Sequence, residues 1–289
     1  MFTGAMVALM TPFQDGEVDY NTLDELLEFQ LENGIDAFVP TGTTGESPTL
    51  SHTEHRKVIK HIVKTVAGQV PVIPGTGSNS TQEAIKLTEY AKKVGADATL
   101  QVDPYYNKPT QEGFYQHFKT IAETVDLPVI LYDIPGRCGA GMTPQTIARL
   151  AELENIVALK EATGSMDHAS EVATLCDLTI LSGDDSMTLP LAAVGGKGVI
   201  SVVANIVPAD IKAMTDLILS GELTEARKWH NKLFDLSKGM LTLATNPIPI
   251  KAAASMLNLV SEEMRLPMVP LDEEKKETLR KTLTDYGLL

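Results

Sequence analysis

Short apolar runs alternate with longer amphipathic segments along most of the chain. Each run is rich in β-branched residues, ends in Gly, Pro, Thr, Asn or Asp, and is followed by apolar residues at helical spacing. This alternation is typical of repeated β-α units. Eight runs are predicted as strands, at residues 6–12, 37–42, 70–75, 98–104, 129–134, 156–161, 179–183 and 198–204.

Helix start signals lie between these runs. Ser51 and Ser80 each stand three residues before a glutamate and predict capping boxes, and Thr143 before Pro144 predicts a third start. After about Glu222 the pattern is helical only. The predicted helices there are residues 224–244, 249–257 and 273–286.

The pattern predicts an α/β fold, a (β/α)8 TIM barrel over residues 1–221 with a C-terminal helical extension over residues 222–289. Parallel neighbours need long right-handed crossovers, and eight such strands can close on themselves. An open doubly wound sheet is the alternative. It is disfavoured because no strand leads into a G-x-G-x-x-G or G-x-x-x-x-G-K-[ST] loop.

Charge and composition narrow the range of partners. The 289 residues carry a formal charge of -14, which argues against nucleic acid and anionic membranes as partners. Two cysteines, Cys138 and Cys176, are too few for a disulfide framework. We find no basic leader and no apolar run of about 18 residues. A soluble, cytoplasmic protein is therefore expected.

Lys160 and Tyr132 are the first candidates for chemistry, since they lie at the same depth near the carboxyl ends of predicted buried strands that are adjacent in a barrel. Burial lowers the pKa of a lysine and produces a nucleophilic amine that forms Schiff bases with carbonyl compounds. A neighbouring phenol can shuttle protons. The alternatives are an ion pair of Lys160 with Glu161 or a loop carboxylate, and a tyrosine that only packs.

Three loop features are further candidates. Arg137 offers a fork for a carboxylate. The glycines and hydroxyls of TGTTGE at 41–46 offer an anion cradle. Tyr105 and Tyr106 suit a site or a subunit interface. His52 and His55 are three residues apart, but the segment is not H-E-x-x-H, and no metal is expected.

Taken together, seven segments resemble the dihydrodipicolinate synthase family in order along essentially the whole chain. Jointly these segments are highly specific. They include Lys160, Tyr132, Arg137 and most of the Gly/Thr loop at 41–46, called the hydroxyl loop below. The segments are GTTGES at 42–47, PYYNKP at 104–109, YDIPGR at 132–137, LKEATG at 159–164, GDD at 183–185, GVIS at 198–201 and NPIP at 246–249.

The resemblance implies condensation of pyruvate with L-aspartate 4-semialdehyde in lysine (diaminopimelate) biosynthesis, with no cofactor. It implies that Lys160 forms the imine and that Tyr132 donates and accepts the proton. Thr43 and Tyr106, the latter from a neighbouring subunit, would complete a proton relay. The implied substrate contacts are Thr44 and Ile200 for pyruvate and Arg137 for the carboxylate of the semialdehyde, with Gly183 as a further substrate-binding residue.

The resemblance also implies a homotetramer, a dimer of dimers, with feedback inhibition by L-lysine at the dimer interface. The alternative is a polar interface without regulation. Two residues depart from the family pattern: Asp133, where members usually have Asn, and Cys138, where they often have Thr. Asp133 would add a negative charge beside the site. The residues that match the lysine-sensitive pattern, or lie at a variable position within it, are Ser47, Pro48, His52, His55, Asn79, Glu83 and Tyr105.

Two competing functions remain open at the level of the sequence. N-acetylneuraminate lyase or a 2-keto-3-deoxy sugar acid aldolase, from the same superfamily, would share the lysine and tyrosine but use another acceptor. Thr43 and Thr44 together with Tyr106 and Arg137 favour the synthase. A non-catalytic barrel that binds 2-oxo acids is the alternative from a different class, with Lys160 as an ion-pairing residue.

Overall fold

Parallel strands dominate the computed structural model, which describes residues 2–289. Seven strands form one parallel sheet in the order β4-β1-β9-β8-β7-β6-β5, and β2 and β3 form a separate antiparallel hairpin. The strands are β1 (Gly4–Ala8), β2 (Phe13–Gln14), β3 (Glu17–Val18), β4 (Ala37–Val39), β5 (Thr99–Val102), β6 (Val129–Asp133), β7 (Ile156–Glu161), β8 (Thr179–Ser182) and β9 (Gly198–Ser201).

Helices follow the strands and cover the outside of the sheet. Three short 3-10 turns, Ser47–Thr49, Asp185–Met187 and Val203–Asn205, lie in loops after β4, β8 and β9. The helices are α1 (Tyr20–Glu32), α2 (His52–Val66), α3 (Thr81–Val94), α4 (Gln111–Thr124), α5 (Pro135–Cys138), α6 (Pro144–Ala151), α7 (Met166–Leu175), α8 (Thr188–Ala192), α9 (Pro208–Leu219), α10 (Leu223–Leu243), α11 (Ile248–Met256) and α12 (Glu273–Tyr286).

The segment 70–76 fills the gap between β4 and β5. The Phe38 amide donates to the Pro71 carbonyl (2.9 Å), and on the other side the Leu100 amide donates to the Pro74 carbonyl (2.9 Å). Prolines have no N–H group and cannot support a continuous ladder. The barrel is therefore confirmed, but the prediction of a regular third strand at 70–75 is wrong.

Most of the other predicted strands begin within two residues of the observed ones but run too far at their carboxyl ends. The ladders stop where the chain turns into the βα loops; β9, for example, ends at Ser201, three residues before the predicted end. The β2–β3 hairpin was not predicted. Asp15 and Gly16, both with positive φ at its turn, form the Asp-Gly dipeptide that signals such hairpins.

The start signal at Ser51 is confirmed as a capping box, and Thr143 caps α6 by accepting from the Thr146 amide (3.3 Å). The capping box at Ser80 is wrong, because its side chain makes no capping bond. The hydroxyl of Ser78 donates instead to the Glu83 carboxylate, which turns that glutamate away from the helix start.

The C-terminal helices pack onto the barrel as part of one hydrophobic core. Leu236 of α10, Ala253 of α11 and Leu283 of α12 share a cluster with Val7 of β1 and Val199 of β9. The division of the chain into a barrel that ends at residue 221 and a helical extension that begins at residue 222 stays a proposal. Within residues 2–289 no helix is both long and apolar enough to cross a membrane.

Candidate active site

The carboxyl ends of the strands surround a cavity of about 150 Å³. This position is where (β/α)8 enzymes carry their active sites. Among the side chains at its wall are four that the sequence singles out as reactive or polar: Thr43, Tyr132, Arg137 and Lys160. Thr44 and Gly183 also line it, so the cavity gathers six of the eight predicted catalytic and substrate-binding residues.

Lys160 reaches the cavity from β7, directly opposite Tyr132 of β6 in the strand register. Its ammonium nitrogen lies 4.1 Å from the centre of the Tyr132 ring. The residue is 6% exposed and forms no ion pair with any of residues 2–289. Burial lowers the pKa of Lys160 to about 7, with Asp185 raising it and Arg137 lowering it. A large fraction of the amine is therefore unprotonated and nucleophilic near neutral pH.

Glu161, the predicted alternative partner of Lys160, faces the other way. Its carboxylate accepts from His168 Nδ1 at 2.8 Å and from the Thr163 amide at 2.7 Å. Successive residues of a strand point to opposite faces. The Lys160 side chain therefore points into the barrel, and the Glu161 side chain points outward. The interpretation of Lys160 as the ion-pair partner of Glu161 is wrong.

Tyr132 keeps its proton at neutral pH. Burial raises the pKa of its phenol to about 12, and the neighbouring Arg137 and Thr43 hydroxyl offset part of that rise. A protonated phenol beside an amine and a threonine hydroxyl can deliver a proton and take it back. This is the arrangement required of a general acid-base group.

The start of the C-terminal part closes one side of the cavity. Asn246 lines it and donates from Nδ2 to the Thr44 hydroxyl at 3.0 Å. The Arg137 guanidinium donates to the Asn246 carbonyl (2.9 Å) and to the Thr245 hydroxyl (3.1 Å). Sequence analysis missed the contribution of Asn246 to the site, although the NPIP segment contains it.

Gly183 leaves room for the lysine. A Cβ at this position would lie 2.6 Å from the Ala162 Cβ and 3.2 Å from Lys160 Cε, which is too close for a side chain to fit without movement. Two predicted site residues lie elsewhere. Ile200 is fully buried among the barrel-interior residues and is not one of the described residues that line the cavity. Tyr106 is 90% exposed and lies outside it.

A second cavity of about 430 Å³ adjoins the first and shares Thr43, Ile134 and Arg137 with it. Within it, His52 Nε2 lies 2.7 Å from the Glu83 carboxylate. Asn79 does not line this cavity but donates to the Tyr105 carbonyl at 3.1 Å. Six of the seven residues predicted for lysine binding line it: Ser47, Pro48, His52, His55, Glu83 and Tyr105.

Asp133 does not line the cavity, so its expected place beside the site is corrected. It belongs to a buried row of three carboxyls, Asp103, Asp133 and Glu161, at the ends of β5, β6 and β7, with His168 as the facing cation. Burial raises the pKa of both Asp103 and Asp133. Burial is also the main cause that raises the pKa of the Cys138 thiol, and the two nearby aspartates raise it further. The Asp133 carboxyl therefore lies on the face of β6 opposite to Tyr132 and outside the cavity.

We expect the free energy of unfolding to fall as the pH rises from about 6.5 to about 8. The hydrogen bond to Glu161 raises the pKa of His168 to about 8, so the folded protein keeps a proton that the unfolded chain has lost. The contribution, about 2 kcal/mol, is complete below pH ~6.5 and lost above pH ~8. Urea unfolding across this range measures it. If the free energy of unfolding of the His168→Gln variant falls just as much over this pH range, the assignment to His168 is contradicted.

Three comparisons with known proteins bear on this geometry. A sequence model of the Dihydrodipicolinate synthetase family matches residues 1–286. The chain belongs to the Dihydrodipicolinate synthetase family. The chain is 53% identical to the 4-hydroxy-tetrahydrodipicolinate synthase of Geotalea uraniireducens (strain Rf4) over 291 residues, which cover 100% of both proteins. The family resemblance and the enzyme class predicted from the sequence are confirmed.

Two solved structures of the family carry ligands that matter here. The chloride-inhibited dihydrodipicolinate synthase of Acinetobacter baumannii, complexed with pyruvate, is 43% identical, with a TM-score of 0.97 over 100% of each chain. The enzyme from Cyanidioschyzon merolae with lysine bound is 42% identical, with a TM-score of 0.96 over 100% of this chain and 99% of that one. The barrel with its C-terminal helices is the shared fold.

Proposed function

We propose that this chain is a 4-hydroxy-tetrahydrodipicolinate synthase that condenses pyruvate with L-aspartate 4-semialdehyde through an imine on Lys160. The observation that carries the proposal is the buried Lys160 amine, without an ionic partner among the described residues and 4.1 Å from the centre of the Tyr132 ring. The pyruvate complex of the Acinetobacter baumannii enzyme supports the choice of the first substrate.

The proposed chemistry begins with attack of the Lys160 amine on the keto carbon of pyruvate. Tyr132 protonates the departing hydroxyl of the carbinolamine, water leaves, and an iminium forms. The iminium withdraws electrons, so the pyruvate methyl group loses a proton and becomes an enamine. The enamine carbon then attacks the aldehyde, and the amino group from the semialdehyde attacks the resulting imine carbon, which closes the ring and frees the Lys160 amine.

Substrate contacts follow from the residues that line the cavity. We assign the pyruvate carboxylate to the Thr43–Thr44 loop, with Gly183 leaving space beside Lys160. We keep Ile200, which lies in the barrel interior and does not line the cavity, as a proposed pyruvate contact on the family resemblance alone. Arg137 receives the carboxylate of the semialdehyde, because its planar fork suits that group. Asn246 fixes Thr44 and Arg137 relative to each other.

The proton relay supplies the argument for an oligomer. Tyr106 is 90% exposed and has a positive φ of 72° on a loop outside its own cavity. We assign Tyr106 to the site of a neighbouring copy, where it joins Tyr132 and Thr43. The proposed assembly is a homotetramer built from dimers, and the proposed compartment is the cytoplasm.

The decisive test is turnover with pyruvate and L-aspartate 4-semialdehyde, coupled to the next reductase of the pathway. Activity would support both the imine and the acceptor. If borohydride traps pyruvate on Lys160 without turnover, the acceptor is a different aldehyde, as in the sugar acid aldolases. If the folded protein neither turns over nor traps pyruvate, the barrel is not an aldolase and the interpretation as a binding protein replaces this one.

Tyr132→Phe is expected to lower kcat by roughly 100-fold or more, the usual effect of losing an acid-base group. The ring and its packing remain, so the thermal unfolding midpoint should change little. Steady-state kinetics and a melting curve measure the two effects. A variant with wild-type kcat would remove Tyr132 from the mechanism.

We propose that the second cavity binds L-lysine and inhibits the enzyme. The Glu83 carboxylate suits an ammonium group of the ligand. Bound lysine would act on the first cavity through Thr43 and Arg137, because these two residues line both cavities. The Cyanidioschyzon merolae structure with lysine bound supports this proposal.

Glu83→Gln is expected to weaken inhibition by L-lysine by about tenfold or more, since it removes one charge-assisted contact. A lysine titration of turnover provides the measurement, and kcat without lysine should stay within about twofold because Glu83 does not line the catalytic cavity. Inhibition that is equally strong in the variant would place the lysine site elsewhere.

A further inference from the structure

Asp185 is a buried carboxylate that the proposed mechanism does not use. It begins the 3-10 turn after β8, is 5% exposed, and lines the same cavity as Lys160. Its carboxylate accepts from the Ser201 hydroxyl (2.5 Å) and from the amides of Val202 (2.9 Å) and Val203 (3.2 Å). All three donors are neutral, so they hold the carboxylate in place without cancelling its charge.

Two other carboxylates lie near Lys160 in the fold. Asp184, the neighbouring residue on the turn, accepts from the amide and the hydroxyl of Ser186 (both 2.9 Å). Glu161 is bound to His168 outside the barrel. The remaining titratable and charged groups that line the cavity beside Lys160 are Tyr132 of β6 and Arg137 of α5. Neither aspartate in this wall has a cation partner among the described residues, but Asp185 is the buried one, and its charge raises the pKa of Lys160.

We propose that Asp185 is the counter-charge of Lys160, stabilising its ammonium form and the iminium that it forms with a 2-oxo acid. This proposal rests on the proposed function of Lys160. Asp185 acts through the lysine and needs no contact with the reacting carbonyl. Its role differs from that of Tyr132, which moves protons.

The charge balance of imine formation explains why such a group is needed. A neutral amine and a neutral carbonyl take up one proton, lose one water, and leave a cation on a side chain that is only 6% exposed. A buried cation is costly unless it is paired. Burial raises the pKa of Asp185 only to about 6, so it is ionised at neutral pH, and its charge raises the pKa of Lys160.

The Asp185→Asn variant removes the charge while keeping the shape. The amide oxygen can accept from Val202 and Val203, and the amide nitrogen can donate to the Ser201 oxygen. That oxygen already accepts from the Ala204 amide at 2.8 Å and has a second lone pair. The substitution therefore separates the effect of the charge from loss of the hydrogen bonds.

The test uses two readouts on the wild type, Asp185→Asn and the matched control Asp184→Asn. The first is the pH dependence of Lys160 acetylation without pyruvate, measured on the Lys160 peptide by mass spectrometry. The second is the pyruvate concentration that gives half-maximal borohydride trapping at pH 8. For Asp185→Asn we expect the acetylation midpoint to fall by about one pH unit and the half-saturating pyruvate concentration to rise about tenfold.

Each outcome bears on the proposal differently. A loosened turn would let water reach Lys160 and move the acetylation midpoint upward, so an upward shift would overturn the charge role. An unchanged midpoint, or an equal shift in Asp184→Asn, would overturn it as well. If the wild type traps pyruvate and Asp185→Asn gives the same values as the wild type, the imine mechanism stands but Asp185 has no part in it. If the wild type does not trap pyruvate, both proposals fail.

Discussion

The Lys160→Ala variant is expected to lose all covalent trapping of pyruvate and all measurable synthase turnover. Imine formation needs a primary amine within the cavity, and Lys160 supplies it from β7. Among residues 2–289 no other lysine lines this cavity, so no second amine can substitute. Borohydride reduction with labelled pyruvate, followed by mass spectrometry of the intact chain, measures the loss directly.

Two further variants make the result specific. Lys160→Arg keeps a positive charge and most of the side-chain volume, but its guanidinium stays protonated and is not a nucleophile; it should be as inactive as the alanine variant. Lys197→Ala removes an exposed lysine before β9 and should trap pyruvate like the wild type. Trapping by Lys160→Ala at the wild-type level would refute the assignment of the imine to Lys160.

The geometry of the proposed catalytic pair was predictable because it follows from local pattern and strand order. Tyr132 and Lys160 lie near the carboxyl ends of consecutive predicted strands, and parallel pairing in a barrel places them side by side, as the register confirms. The same rule explains the carboxyl row, since Asp133 and Glu161 follow these residues and point to the opposite face. The expectation that Asp133 would place a negative charge beside the site did not take this alternation into account.

Contacts between segments that are distant in sequence could not be predicted from the local sequence pattern. Asp185 accepts from Ser201, Val202 and Val203, and nothing in the GDD segment shows that the end of β9 supplies the donors. Asn246 reaches Thr44 across 202 positions of sequence. Such pairings depend on how the C-terminal helices pack against the barrel, which periodicity alone does not define.

Replacing Lys251 by methionine is expected to lower the free energy of unfolding by about 3–5 kcal/mol. Lys251 of α11 and Glu46 of the hydroxyl loop form an ion pair at 2.5 Å, with side chains that are 1% and 2% exposed. Methionine fills much of the same space but leaves the Glu46 carboxylate buried with the Arg265 amide as its remaining donor (3.2 Å). An uncompensated buried charge costs far more than an exposed one.

The double variant Glu46→Gln, Lys251→Met is the matched control. It removes both charges, and the glutamine oxygen can still accept from the Arg265 amide. Removing a buried pair entirely is often close to neutral, so the double variant should recover most of the stability lost by Lys251→Met. Urea unfolding of the wild type, the single variant and the double variant measures the difference.

The outcome also tests why an ion pair is buried so close to the site. Glu46 ends the loop that contains Thr43 and Thr44, and Lys251 lies in the helix that follows Asn246, so the pair joins the two walls of the cavity. If its role is to hold that loop, the double variant should be stable yet have a raised KM for pyruvate. Equal destabilisation of the single and double variants would instead show that packing around Lys251, not the unpaired charge, accounts for the loss.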